Sequence, residues 1–200
     1  MSVPANILTR LRRAMPDRPL SLYEAYSVAE RQALTLLHLA EVEGPRVSED
    51  LIIGLPRIRV RQLLDLPTSG MSFYDRGLWH IAINGADSWC RQRFTLAHEF
   101  KHILDHPFAD TSYRNASHAQ VERVCDYFAG CLLIPRPLLK RAWTARIQKV
   151  SDLAQLFDVS PQAMQVRLSQ TGLVDPTPRC LTRPRTYNRP RRSTAALATT

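Results

Sequence analysis

The chain has 200 residues, of which 44% are hydrophobic and 22% charged, a size and composition typical of one globular domain with a substantial core. Its longest uncharged stretches, near residues 32–40 and 127–135, are too short for a transmembrane helix, which needs ~20 apolar residues. Residues 1–20 also lack the apolar segment of a secretory signal. The four cysteines form no CxxC pair, so we expect reduced thiols, a cytoplasmic protein and no membrane partner.

The excess of 27 basic over 18 acidic residues is unevenly distributed. Six arginines but only one acidic residue, Asp175, fall within residues 175–200, which are rich in Pro, Arg, Thr and Ala. Such a composition is typical of a disordered tail. A solvated spacer and a basic segment that contacts nucleic acid or an acidic partner are both open interpretations of it.

The first half of the chain predicts two helices. A short amphipathic helix falls within residues 1–15 and ends at the prolines that follow. Ser21 and Glu24 then form a capping box, in which each side chain satisfies a free backbone N–H group at the start of a helix. We expect this second helix to reach about Val42, before Gly44.

The pattern then changes to that of strands. Ile58 and Val60 alternate with arginines, as in a half-buried strand. Two further apolar segments, 71–74 and 78–83, flank Asp75-Arg76-Gly77, a turn in which the glycine readily adopts a positive φ. We therefore expect a small, mostly antiparallel, three-stranded sheet over residues 57–84.

Helical patterns return after Asn84. A capping box at Ser117 and Gln120 opens one of these helices, whose apolar residues recur with the 3.6-residue period of a buried helix face. The five expected helices cover approximately residues 88–105, 118–134, 137–147, 151–158 and 161–169. The fold class expected from this order is α+β.

The helix over residues 88–105 carries the most informative motif, His98-Glu99-Phe100-Lys101-His102. Residues four apart project from one helix face, so His98 and His102 can bind one tetrahedral Zn²⁺. Glu99 lies beside them, where it can accept a proton from a water that the metal activates. The alternative is a helix with two surface histidines and a solvated glutamate.

The next helix offers a third metal ligand. Glu122 and Asp126 lie four residues apart, and two solvated carboxylates at this spacing would repel each other. A favourable arrangement has Glu122 on the metal and Asp126 hydrogen-bonded to a ligating imidazole. Two alternatives remain: arginines such as Arg123 neutralise both acids, or His118 is the third ligand instead of Glu122.

Three blocks of sequence occur together with this motif, and by them the chain resembles the ImmA/IrrE-type metallopeptidases over roughly residues 25–172. The blocks are Leu78–Asn84, Arg91–His102 with His106, and Glu122–Ala129 followed by Leu132–Pro135. The resemblance implies a zincin-like metallopeptidase fold, with His98, His102 and Glu122 as zinc ligands and Glu99 as the catalytic acid. It also implies a cytoplasmic endopeptidase whose substrate is a helix-turn-helix transcriptional repressor, cleaved to relieve repression.

Two positions depart from the pattern of that family. Lys101 stands where glycine is usual, and we expect its side chain to point away from the metal. Cys125 stands where alanine is usual, one turn from Glu122. We interpret it as a buried small hydrophobic residue, with a thiol near the metal as the alternative.

The sequence thus predicts an N-terminal helical extension at 1–20, a metallopeptidase domain at 21–174 and a tail at 175–200. The 151–170 helices resemble a helix-turn-helix, which leaves open a DNA-binding regulator that uses Arg167 and the basic tail. We favour two helices that close the domain. A third hypothesis is a zinc-binding protein that sequesters a repressor without cleaving it. The oligomeric state cannot be predicted.

Overall fold

The computed structural model describes residues 6–173, which form helices around a three-stranded sheet. This arrangement confirms the α+β fold class. In chain order the elements are α1 (Ile7–Arg12), α2 (Leu22–Leu39), α3 (Asp50–Ile53), β1 (Ile58–Leu63), β2 (Gly70–Asp75), β3 (Leu78–Asn84), α4 (Trp89–Asp105), a 3-10 turn (His106–Phe108), α5 (His118–Leu133), α6 (Arg136–Thr144), α7 (Val150–Phe157) and α8 (Pro161–Thr171).

Both predicted capping boxes are present. The Ser21 hydroxyl accepts a hydrogen bond from the Glu24 backbone N–H, and the Glu24 carboxylate accepts one from the Ser21 backbone N–H. Ser117 and Gln120 make the same reciprocal pair at the start of α5. These local signals fix where α2 and α5 begin, because the first turn of a helix otherwise leaves its N–H groups without partners.

The sheet has the strand order β1-β3-β2 and is mixed. The antiparallel β2–β3 hairpin matches the expectation, and its turn residues Arg76 and Gly77 both have positive φ, of 46° and 84°. The β1–β3 pair is parallel, so the expectation of a mostly antiparallel sheet is wrong in this respect. Strand β1 pairs with the free edge of β3 and not with that of β2. The chain reverses direction between β1 and β2 and again between β2 and β3, so β1 and β3 run parallel.

The sheet packs with one face against α4, which lies between the sheet and helices α2 and α5. Strand β2 approaches α4 so closely that a Cβ at Gly70 would lie 2.3 Å from Cγ2 of Thr95. Glycine is therefore required there for steric reasons. On the other side of α4, Phe100 and Phe128 of α5 form part of the apolar core, with ring centroids 6.1 Å apart. Helix α4 is thus held from both sides.

Helices α7 and α8 are attached to α4 through Asp158, which connects them in a left-handed conformation with φ of 55°. Its carboxylate accepts a hydrogen bond from Nε1 of Trp89, at 3.0 Å, and forms an ion pair with Arg46, at 3.1 Å. The buried guanidinium of Arg93 donates to the Asp158 carbonyl. Burial opposes ionisation of Asp158, but these partners outweigh it, so its pKa is lowered.

Arg167, the residue that a DNA-reading α8 would use, is buried. Its side chain is 2% exposed; Nε donates to the Ile134 carbonyl, and Nη2 forms an ion pair with Glu30 at 3.3 Å. Its guanidinium also lies over the Tyr127 ring, 5.4 Å from the centroid. A side chain so enclosed cannot reach a DNA base, so Arg167 is not a base-reading residue in this conformation. That these two helices close the domain stays a prediction.

The predicted tail at 175–200 lies outside the described residues, and the division at residue 20 stays a prediction. Helix α1, within the predicted extension, packs on the rest of the fold: Ile7 and Leu11 are buried, and Arg12 donates to the Ile103 and Leu104 carbonyls of α4. Between residues 6 and 173 no helix has the length and apolar character needed to cross a membrane.

Candidate metal centre

Helix α4 presents His98 and His102 from consecutive turns. Their rings meet edge to face, with centroids 4.9 Å apart, and the two Nε2 atoms are separated by 3.1 Å. Both side chains are mostly buried. Because the same nitrogen of each ring points to the same place, the pair can offer two lone pairs to one cation.

Glu122 of α5 completes the triangle. Its Oε2 lies 3.3 Å from Nε2 of His98, and its Oε1 lies 3.3 Å from Nε2 of His102. Ligands at the 2.0–2.1 Å bond lengths of tetrahedral zinc are separated from each other by about 3.3–3.4 Å. The three observed separations agree with that value within a few tenths of an ångström. The donor set therefore fits Zn²⁺ in both chemistry and spacing.

Asp126, one turn further along α5, holds the first imidazole. Its Oδ1 lies 2.8 Å from Nδ1 of His98, which leaves the opposite Nε2 directed at Glu122. Burial lowers the pKa of His98, but the hydrogen bond and the charge of Asp126 outweigh it, so that pKa is raised. The pKa of His102 is lowered by burial and by the neighbouring charge of His98.

His118, the alternative third ligand, lies at the first residue of α5 with a side chain 90% exposed. Its Nε2 is 3.6 Å from Oε1 of Glu122. It therefore contacts the carboxylate from the solvent side, whereas Glu122 contacts both imidazoles directly. Arg123 does not neutralise the two acids either: its Nε donates to the Ala119 carbonyl.

Glu99 projects from α4 towards the sheet and is 8% exposed. The Ser72 hydroxyl of β2 donates to its Oε2, at 2.8 Å. Sequence reasoning missed Ser72, which belongs to no recognisable motif. Its position in an alternating strand signals only that it shares a sheet face with Tyr74; the packing of β2 on α4 is what brings it to Glu99.

Cys125 contributes a second unexpected contact. Its Sγ lies 3.6 Å from Nδ1 of His102, and together with His98 the three residues offer donor atoms within 4.8 Å of one another. The thiol approaches the nitrogen of His102 that faces away from Glu122, so it does not replace Glu122 in the triangle. Burial raises the pKa of this thiol well above its ordinary value.

Lys101 points away from the three ligands, as expected, but it is fully buried. Its Nζ lies 2.5 Å from Oδ1 of Asp105 and 2.8 Å from Oε1 of Gln32 on α2. The ammonium group therefore forms an ion pair inside the fold, where α4 meets Gln32 of α2.

A cavity of about 630 Å³ opens beside the centre, and its lining includes Glu99, His102 and Glu122. Trp79 and His106 pack edge to face within its lining, with ring centroids 5.0 Å apart. The cavity is large enough for a substrate side chain next to the candidate catalytic residues.

Comparisons with known proteins identify a family and a similar fold. The peptidase M78 family model, described as an IrrE N-terminal-like domain, matches residues 57–169, more than half of the chain. A solved structure named as a Mycobacterium tuberculosis transcriptional regulator is similar in fold, with a TM-score of 0.56 and 18% sequence identity. The similarity covers 81% of this chain and 52% of that one, so this chain spans about half the length of that protein. No curated protein matches the chain.

Proposed function

The chain belongs to the peptidase M78 family of IrrE N-terminal-like domains, and from this premise we propose that it is a cytoplasmic zinc-dependent endopeptidase that cleaves a helix-turn-helix transcriptional repressor. The family supports a metallopeptidase with a regulatory role.

The single observation that carries the proposal is the triangle of His98, His102 and Glu122, with donor separations of 3.1, 3.3 and 3.3 Å. These three residues would hold the zinc, and Asp126 would keep His98 in the tautomer that binds through Nε2. Zinc bound there would supply a Lewis acid for the scissile carbonyl and lower the pKa of a coordinated water.

Glu99 is the proposed general base and acid. Ser72 donates to its Oε2, which fixes the carboxylate plane, while Oε1 accepts no hydrogen bond from a described residue. Oε1 is therefore the oxygen available to accept a proton from the attacking water and to deliver it to the leaving amine. A carboxylate that is 8% exposed is also partly shielded from bulk water, which strengthens its interaction with a nearby cation.

Strand β2 is the proposed binding site for the substrate backbone. It lies at one edge of the sheet, hydrogen-bonded to β3 on one side, and its Ser72 touches Glu99. A peptide added to this edge as a further strand would run past the candidate catalytic carboxylate. The other edge strand, β1, lies farther from the Glu99 carboxylate because β3 separates β1 from β2.

The test compares wild-type protein with Glu99→Gln, with Glu43→Gln as a matched change at an exposed position. The substrate offered is the helix-turn-helix protein encoded by the adjacent reading frame, and fragments are detected by mass spectrometry. We expect cleavage by wild type and Glu43→Gln, none by Glu99→Gln, and about one zinc per chain in all three. Cleavage by Glu99→Gln at the wild-type rate would refute the role of Glu99.

Product detection also separates the alternatives. A zinc-loaded wild-type protein that binds the repressor but yields no fragment would support the non-cleaving, sequestering function. Salt-dependent DNA retention by the full chain would support a DNA-binding regulator, although the burial of Arg167 argues against base reading through α8. A chain that binds no zinc would refute the proposal at its first step.

A further inference from the structure

The two imidazoles of the candidate centre are each held at Nδ1 by a residue of α5, but the two holding groups differ. His98 contacts the Asp126 carboxylate at 2.8 Å, whereas His102 contacts the Cys125 thiol at 3.6 Å. That distance is within the range of a hydrogen bond to sulfur, a weak acceptor. Between residues 6 and 173, Cys125 is the only hydrogen-bonding partner of the His102 Nδ1.

The thiol contact bears on which nitrogen of His102 carries the proton. A neutral imidazole has one N–H group, and only the nitrogen without it can bind a metal. If the proton is on Nδ1, the ring donates to Sγ of Cys125 and presents a lone pair from Nε2 towards Glu122. If the proton is on Nε2, the thiol would instead donate to Nδ1, and Nε2 would be blocked.

We propose that Cys125 is a positioning residue: its sulfur accepts the Nδ1–H of His102 and so selects the metal-binding tautomer and ring orientation. The inference rests on the zinc site of the proposed function. It assigns Cys125 a role beyond the small buried hydrophobic residue expected from the sequence. Groups that hold metal ligands in this way change metal affinity by 10- to 100-fold when removed, and a weak acceptor belongs at the lower end of that range.

Helix α5 provides a matched control. Cys131 is the same residue type on the same helix and is also buried, 1% exposed, but its charged and polar neighbours are Tyr127, Arg167 and Glu30. Cys131→Ala therefore removes the same side-chain volume without touching the candidate ligands. Any general effect of shortening a buried cysteine on α5 will appear in this variant as well.

The experiment measures Zn²⁺ affinity by competition with a chromophoric chelator in wild type, Cys125→Ala, Cys125→Ser and Cys131→Ala. We expect about a tenfold loss for Cys125→Ala, a smaller loss for Cys125→Ser because its hydroxyl remains an acceptor, and no change for Cys131→Ala. A packing role predicts the opposite order, since serine buries a hydroxyl that alanine lacks. Equal affinity in all four proteins, or a larger loss for serine than for alanine, would overturn the inference.

A second measurement needs no variant and covers the case in which the substitutions prevent folding. The ¹⁵N chemical shifts of the imidazoles in metal-free, histidine-labelled wild type report the tautomer directly. We expect the His102 proton on Nδ1; a proton on Nε2 would overturn the inference. Failure of wild type to bind zinc refutes the proposed site itself, whereas wild-type binding that Cys125→Ala leaves unchanged refutes only the role of Cys125.

Discussion

The buried ion pair between Lys101 and Asp105 gives the most stringent test of the fold. Lys101 is 0% exposed and Asp105 4% exposed, and the ammonium has two acceptors, the second being Gln32. Lys101→Met keeps the length and apolar stem of the side chain but removes its charge. Asp105 then remains as a buried carboxylate without its cation. Breaking a buried pair in this way costs about 3–5 kcal/mol.

The expected signal follows from that value. With a urea m-value of about 2 kcal/mol/M for a domain of this size, the midpoint of unfolding should fall by about 1.5–2.5 M. In Lys101→Met/Asp105→Leu both charges are gone, and the remaining defect is the unsatisfied amide oxygen of Gln32, which costs about 1–3 kcal/mol. The double variant should therefore be more stable than Lys101→Met alone.

The assay is urea unfolding of the metal-free proteins, followed by far-UV circular dichroism, so that zinc binding does not contribute to the stability. Asp105→Leu alone completes the double-mutant cycle. A Lys101→Met variant that loses less than about 1 kcal/mol, or a double variant whose loss equals the sum of the two single losses, would refute the reasoning. Either result would mean that the two charges do not stabilise each other inside the fold.

Two further predictions concern helices α7 and α8. Because the pKa of Asp158 is lowered, its ionised form stabilises the fold above pH 3.8, and this stability is lost as the pH falls through the lower pKa of the folded state. Asparagine tolerates the same left-handed backbone, so Asp158→Asn should be less stable than wild type at pH 7 by a margin that shrinks below pH 3.8. A margin independent of pH would contradict this prediction. Arg167→Met should lower the free energy of unfolding by about 2–3 kcal/mol in urea titrations and leave any retention of DNA in gel-shift assays unchanged, whereas lost DNA retention at unchanged stability would return Arg167 to a surface role.

Local features of this protein were predictable because they depend on residues within a few positions of each other. The capping boxes at Ser21 and Ser117 follow from side chains within one helical turn. The hairpin turn follows from the ability of Gly77 to adopt a positive φ. The projection of His98 and His102 from one face follows from the helical period alone. The family resemblance added the relation between two helices that periodicity does not contain, and its role for Glu122 stays a prediction until zinc binding is measured.

The tertiary structure alone determines the contacts between segments that are distant in sequence. Ser72 and Glu99 are 27 residues apart, and Cys125 and His102 are 23 apart. Neither contact can be predicted from helix or strand periodicity. The parallel pairing of β1 with β3 depends on the path of a loop, and the burial of Arg167 depends on how α8 packs against α5. A sequence pattern specifies which face of an element is apolar, but the element that covers that face is chosen by the packing of the whole chain.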